Sequence, residues 1–129
     1  MRYQRKGFKK MGKVKKILVV DDEPNIAFLI KEELEDEGYE VKVCNSGEEA
    51  LKTIKNENFD LITLDIEMPE ISGIEIAGKI REMEKDVKIV LLTAYSHYKS
   101  DLSSWAADAY IVKGSDFSEL KEIIKKLLG

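Results

Sequence analysis

Five positions could carry the chemistry of this chain. Asp21 and Asp22 close the apolar run Ile17-Leu18-Val19-Val20, and Glu23 follows at once. Asp65 closes Leu61–Leu64, Thr93 closes Val87–Leu92, and Lys113 closes Tyr110–Val112. Crowded carboxylates raise one another's proton affinity unless they face water, cap a helix or hold a cation. Mg2+ suits such a set, because it takes oxygen ligands while keeping several of its waters. A lysine and a hydroxyl opposite the cation can hold an incoming anion. Together these groups describe a phosphoryl-transfer site. One carboxylate is the nucleophile, and the cations neutralise the oxygens of the transferred group.

Such a site exists only if the fold brings the five positions together. The apolar runs alternate with stretches of helical spacing. Pro24 opens a helix that carries Ile26, Leu29, Ile30 and Leu34 and stops at Gly38. Tyr39, Val41 and Val43 alternate, as in a more exposed strand. Ser46 with Glu49, and Asp116 with Glu119, have capping-box spacing ahead of two further helices. Ile74, Ala77, Ile80 and Met83 mark another helix, and Ser96 to Ala107 a short polar one around Trp105.

Strands and helices in this alternation predict an α/β fold, a parallel five-stranded sheet covered on both faces. The continuous apolar strands belong at its centre and the alternating one at an edge. That is the flavodoxin-like (βα)5 sandwich with strand order 2-1-3-4-5, whose ligands bind at the C-terminal ends of the strands. Asp21, Asp22, Asp65, Thr93 and Lys113 all fall on that edge. The outlying strand delivers only Cys44 and Asn45.

Composition sets the remaining bounds. A chain of 129 residues holds one domain. The single Cys44 excludes an internal disulfide and a thiolate metal cluster, and no apolar run approaches the length of a membrane span. A cytoplasmic location without membrane contact is expected. The net charge of −4 conceals eight Lys or Arg and no acid within residues 1–16, leaving 13 basic against 25 acidic residues beyond. An acidic body argues against nucleic-acid contact by the domain itself. Residues 1–15 are expected to be a basic arm, disordered or an added extension, ahead of a domain over 16–129.

The segments VVDDEPN, ITLDIEMPEISG, LLTAYS and ADAYIVK, in that order, resemble the receiver domain of two-component response regulators from about Lys16 to Leu128. The resemblance implies that Asp65 accepts a phosphoryl group from the phosphohistidine of a sensor histidine kinase or a histidine phosphotransfer protein. It implies that Mg2+ is held by Asp21, Asp22, Asp65 and the backbone carbonyl of Glu67, with Asp21 acting mainly through a water. Lys113 and Thr93 would contact the phosphoryl group. Tyr110 would turn inward behind Thr93, changing the output surface; a half-buried structural tyrosine is the alternative.

Three features vary from the pattern or within it. Gly114 stands where the family usually has a proline after a cis bond, so a trans peptide is expected. The segment from Thr93 to Lys113 is short, which suggests a reduced fourth helix. Glu67 and Tyr95 occupy positions expected to tune phosphoryl lifetime. His97 reads as a surface residue and Cys44 as a small buried one. Two rival functions share these residues. A binding module that is never phosphorylated would have no need of the full set. A haloacid-dehalogenase-type phosphatase would place Asp rather than Glu67 two residues after its nucleophile.

Overall fold

The structure is a computed structural model that describes residues 14–83, 85–94, 106–114 and 116–129. Five strands, β1 (Lys16–Val20), β2 (Glu40–Cys44), β3 (Leu61–Asp65), β4 (Lys88–Thr93) and β5 (Ala109–Val112), form one parallel sheet in the order β2-β1-β3-β4-β5. The register pairs Val20 with Cys44 and Leu64, Asp65 with Leu92, and Thr93 with Val112. Four helices are described: α1 (Pro24–Asp36), α2 (Gly47–Asn56), α3 (Gly73–Glu82) and α4 (Ser118–Leu128). The expected short helix over Ser96 to Ala107 lies almost wholly outside the described residues, as do the basic arm, Tyr95, His97 and Trp105.

The sheet separates two cores. One face of the strands, with Leu18, Ile62, Leu64, Ile89 and Leu91, packs on Ala50 and Ile54 of α2 and Ile76, Ala77 and Ile80 of α3. The other face, with Ile17, Val19, Leu61, Val90 and Ile111, packs on Ala27, Ile30 and Leu34 of α1 and Leu120 and Ile124 of α4. Burial on both faces is why β1, β3 and β4 read as unbroken apolar runs. β2 is the edge strand, and its alternation in the sequence follows from having one covered face. Cys44, at its end, is buried as expected.

The helix ends correct two of the capping expectations. Ser46 Oγ accepts from Glu49 N–H at 3.1 Å, but the Glu49 carboxylate turns back to Asn45 N–H rather than to Ser46. Asp116 is not a helix cap. It accepts from Ser118 N–H at 2.9 Å, and α4 starts two residues after it. The complete capping box is Ser72 with Glu75 at the start of α3. α1 stops as Gly38 suggested: Gly38 adopts φ 98°, its N–H bonds Glu35 O, and Tyr39 N–H bonds Leu34 O. That double closure needs the left-handed conformation that glycine adopts without strain.

At the far end of the sheet from the carboxylates, Arg81 of α3 ties three segments together. Its guanidinium donates to Ala106 O, to Val87 O and to the Asp108 carboxylate, which also accepts from Ile89 N–H. The start of β5 is thereby fixed against β4, and with it the strand that ends in Lys113.

One buried polar atom is unmatched. Thr63 Oγ1, in the middle of β3, has no hydrogen-bond partner among the described residues. A buried hydroxyl without a partner destabilises by its desolvation, and valine has the same shape. Thr63→Val should therefore raise unfolding stability by about 1 kcal/mol in urea titration. A loss of stability would mean that the hydroxyl is satisfied in solution.

Candidate functional site at the carboxyl edge of the sheet

Backbone bonds carry the ladder one residue beyond three of the strand ends. Asp21 N–H donates to Cys44 O, Ile66 N–H to Leu92 O and Lys113 N–H to Thr93 O, at 2.7–3.1 Å. These bonds fix the backbone at Asp21, Thr93 and Lys113 and at the residue after Asp65. Asp21, Asp65 and Thr93 are only 1%, 3% and 0% exposed, an unusual burial for two carboxylates.

The structure brings the expected residues together. Lys113 Nζ lies 3.2 Å from Asp65 Oδ1 and 3.5 Å from Asp21 Oδ2, bridging the first and third strands. Asp21, Asp22 and Asp65 each offer an oxygen, and these oxygens all lie within 4.8 Å of one another. Three hard oxygen donors on one side, with the remaining sphere left to water, fit Mg2+. Burial pushes the Asp65 carboxyl up to about 6; Lys113 opposes the shift, while Asp21 and Glu67 add to it. Burial works against the Lys113 ammonium, but Asp65 and Asp21 outweigh it and hold its pKa above the ordinary lysine value.

Other residues hold these groups in position. Asp21 Oδ1 accepts from Glu23 N–H at 2.9 Å, so the third acid of the run serves through its backbone. Asn45 Nδ2 donates to Asp21 O at 3.0 Å. Asn45, which follows the edge strand, thus holds the backbone that carries the first carboxylate. Asp65 Oδ1 accepts from Glu67 N–H at 3.3 Å. The Glu67 side chain crosses to the end of β4, where its carboxylate accepts from Thr93 Oγ–H and from Ala94 N–H.

The turn after Asp65 depends on Gly73. Gly73 N–H bonds Ile66 O at 3.2 Å, drawing the start of α3 onto the end of β3. A Cβ at this position would lie 2.4 Å from Asp65 O and 3.1 Å from Ile66 Cα. Neither is the mobile end of a side chain, so the backbone itself would have to move. The sequence places Gly73 at the end of ITLDIEMPEISG, in the loop after Asp65, and Asn45 after the edge strand, but the supporting contact of each shows only in the structure.

Tyr110 sits on β5 beside Leu91, packed against the α2–α3 core. The Lys113–Gly114 peptide is trans, as expected without a following proline. An apolar cavity of about 360 Å3 between α1 and α4, lined by Ile26, Ile30, Leu92, Ile111 and Leu120, includes Lys113 but none of the acids of the cluster.

A five-stranded parallel sheet of this order, with acids, hydroxyl and lysine at one edge, defines a class of phosphoryl-handling domain, and the relatives of the chain agree. Residues 17–125 match the response regulator receiver domain family, and the chain belongs to that family. The response regulator ArlR of Staphylococcus saprophyticus is 38% identical over 88% of this chain and 52% of its own length. The chain spans about half the length of the first curated relatives that it matches. The structure of the response regulator protein TrrA from Thermotoga maritima in complex with Mg2+–BeF is 66% identical, with a TM-score of 0.84 over 89% of this chain and all of that one. TrrA in complex with the histidine kinase ThkA superposes with a TM-score of 0.83 at 65% identity, over 90% of this chain and all of that one.

Two outcomes follow from this geometry. Asp65 binds its proton more tightly folded than unfolded, so without metal the fold loses stability as pH rises from about 4 to about 6. In EDTA at pH 7, Asp65→Asn should melt higher than the parent, by on the order of 2 kcal/mol, with the difference vanishing below pH 4. Saturating Mg2+ should reverse the order by stabilising the parent alone. Equal melting curves in EDTA would remove the argument. Gly73→Ala should cost about 2 kcal/mol and weaken Mg2+ binding, measured by calorimetry on the folded fraction.

Proposed function

We propose that this domain is a phosphoryl acceptor in two-component signalling, with Asp65 as the residue modified. The observation that carries the reading is the Lys113 ammonium placed between Asp65 and Asp21, beside three converging carboxylates. An Asp65 oxygen attacks the phosphorus of a phosphohistidine on a sensor histidine kinase or a histidine phosphotransfer protein. The P–N bond breaks as the P–O bond of the acyl phosphate forms, and the departing imidazole keeps the electron pair and is protonated. Asp21, Asp22, Asp65 and the Glu67 carbonyl hold Mg2+, which supplies charge neutralisation to the transferred group. Lys113 exchanges part of its contact with Asp65 for a phosphoryl oxygen, and Thr93 donates to another.

Tyr110, on the strand beside Thr93, is the residue that relays the change to the α4–β5 surface. The complex of a related regulator with a histidine kinase supports the choice of partner. No described helix is long and apolar enough to cross a membrane, which agrees with a cytoplasmic site of action. We assign the activity to a domain over 16–129 that does not itself contact nucleic acid.

Intact-mass spectrometry after incubation with acetyl phosphate and Mg2+ tests the proposal. The parent should gain one phosphoryl group. The gain should be lost in Asp65→Asn and in EDTA, and reduced at least tenfold in rate by Lys113→Ala. No gain under conditions where Mg2+ measurably binds would leave a binding module instead, and turnover of a small phosphoester would point to a phosphatase.

A further inference from the structure

The Glu67 side chain occupies the Thr93 hydroxyl, which the proposed phosphorylated state would use, and the backbone amide next to it. Glu67 is pinned by its own N–H to Asp65 Oδ1, and its carboxylate spans to the end of β4. There one oxygen accepts from Thr93 Oγ–H and the other from Ala94 N–H at 3.1 Å. A hydroxyl and a backbone amide each have a single hydrogen to donate. Neither can serve Glu67 and a phosphoryl oxygen on Asp65 at once. A carboxylate and a phosphoryl group present the same kind of anionic acceptor, so the exchange is chemically matched.

We infer that the Glu67 carboxylate is an internal stand-in for the phosphoryl group, a positioning residue that holds Thr93 and Ala94 in the resting state and must let go when Asp65 is modified. The inference rests on the reading of Asp65 as phosphoacceptor and adds to it a built-in competitor. Thr93 is fully buried in the resting domain. Release is favoured by the reaction itself, because the new phosphoryl charge lies next to the Glu67 carboxylate and repels it. The half-buried glutamate has an outward path to water. The hold lowers the fraction of molecules competent to accept the group, and phosphorylation is correspondingly slower than the site alone would allow.

Reach and charge can be separated with three variants. Glu67→Ala removes both, Glu67→Gln removes the charge, and Glu67→Asp keeps the charge on a side chain one methylene too short. Two readouts are taken: the Ala94 amide shift in metal-free, unphosphorylated protein, and the initial rate of phosphorylation by acetyl phosphate at saturating Mg2+. In Glu67→Asp and Glu67→Ala the Ala94 amide proton should move upfield, and the rate should rise roughly threefold to tenfold, the net scale of one ordinary hydrogen bond. An unchanged amide and rate in Glu67→Asp, with a faster Glu67→Gln, would overturn the inference in favour of simple charge repulsion. Slower phosphorylation in all three would overturn it in favour of a glutamate that assists transfer. A parent that takes up no phosphoryl group would instead bring down the assignment of Asp65, and the Ala94 shift would still report whether Glu67 holds the end of β4.

Discussion

The contact between the Lys113 ammonium and the carboxylates of Asp65 and Asp21 is the constraint around which the molecule is arranged. Two almost fully buried carboxylates on adjacent strands repel each other in a medium that screens poorly. Lys113 lies within 3.5 Å of both and supplies the opposing charge. Its raised pKa and the raised pKa of Asp65 are two sides of this balance: one ammonium is strongly held, yet it does not fully offset the burial of Asp65. The residual negative charge is what makes a divalent cation welcome there.

The rest of the fold keeps that arrangement from relaxing. Lys113 is 92 residues from Asp21, so their approach depends wholly on the sheet. The apolar layers on both faces hold β1, β3, β4 and β5 in register, and the backbone bonds just past the strand ends extend that register into the site. At the opposite edge Arg81 and Asp108 fix where β5 begins. Fixing one end of a four-residue strand also fixes the other, which is where Lys113 departs. Gly73 brings α3 close enough for the turn after Asp65 to be tight, and that same turn delivers Glu67 to Thr93. One short loop therefore sets both Asp65, the proposed phosphoacceptor, and the Glu67 side chain that accepts from the Thr93 hydroxyl.

Most of this was legible in the residues. The unbroken apolar runs gave the central strands because burial on both faces leaves no polar side to alternate with. Alternation at Val41 and Val43 gave the edge strand for the converse reason. The polar residue following each run gave the site, since parallel strands put their ends on one edge. The misreadings were local. Asp116 had the spacing of a cap, but the segment after β5 turns once more before α4 begins, and spacing cannot register an extra turn. Glu49 had the right separation from Ser46, yet its carboxylate chose the neighbouring amide of Asn45. Such choices differ by a fraction of a hydrogen bond, and only the surrounding packing settles them.

The sequence by itself determined the strand order, the two-faced core and the convergence of Asp21, Asp22, Asp65, Thr93 and Lys113, because each follows from hydrophobic periodicity and from the chemistry of residue types at element ends. Tertiary structure alone decided that Asn45 supports Asp21, that Gly73 must lack a Cβ, that Arg81 anchors β5, and that Glu67 accepts from Thr93. These are contacts between residues 24 to 27 positions apart or across a turn whose width is set by packing. Their partners are chosen by distance in three dimensions, which periodicity along the chain does not encode.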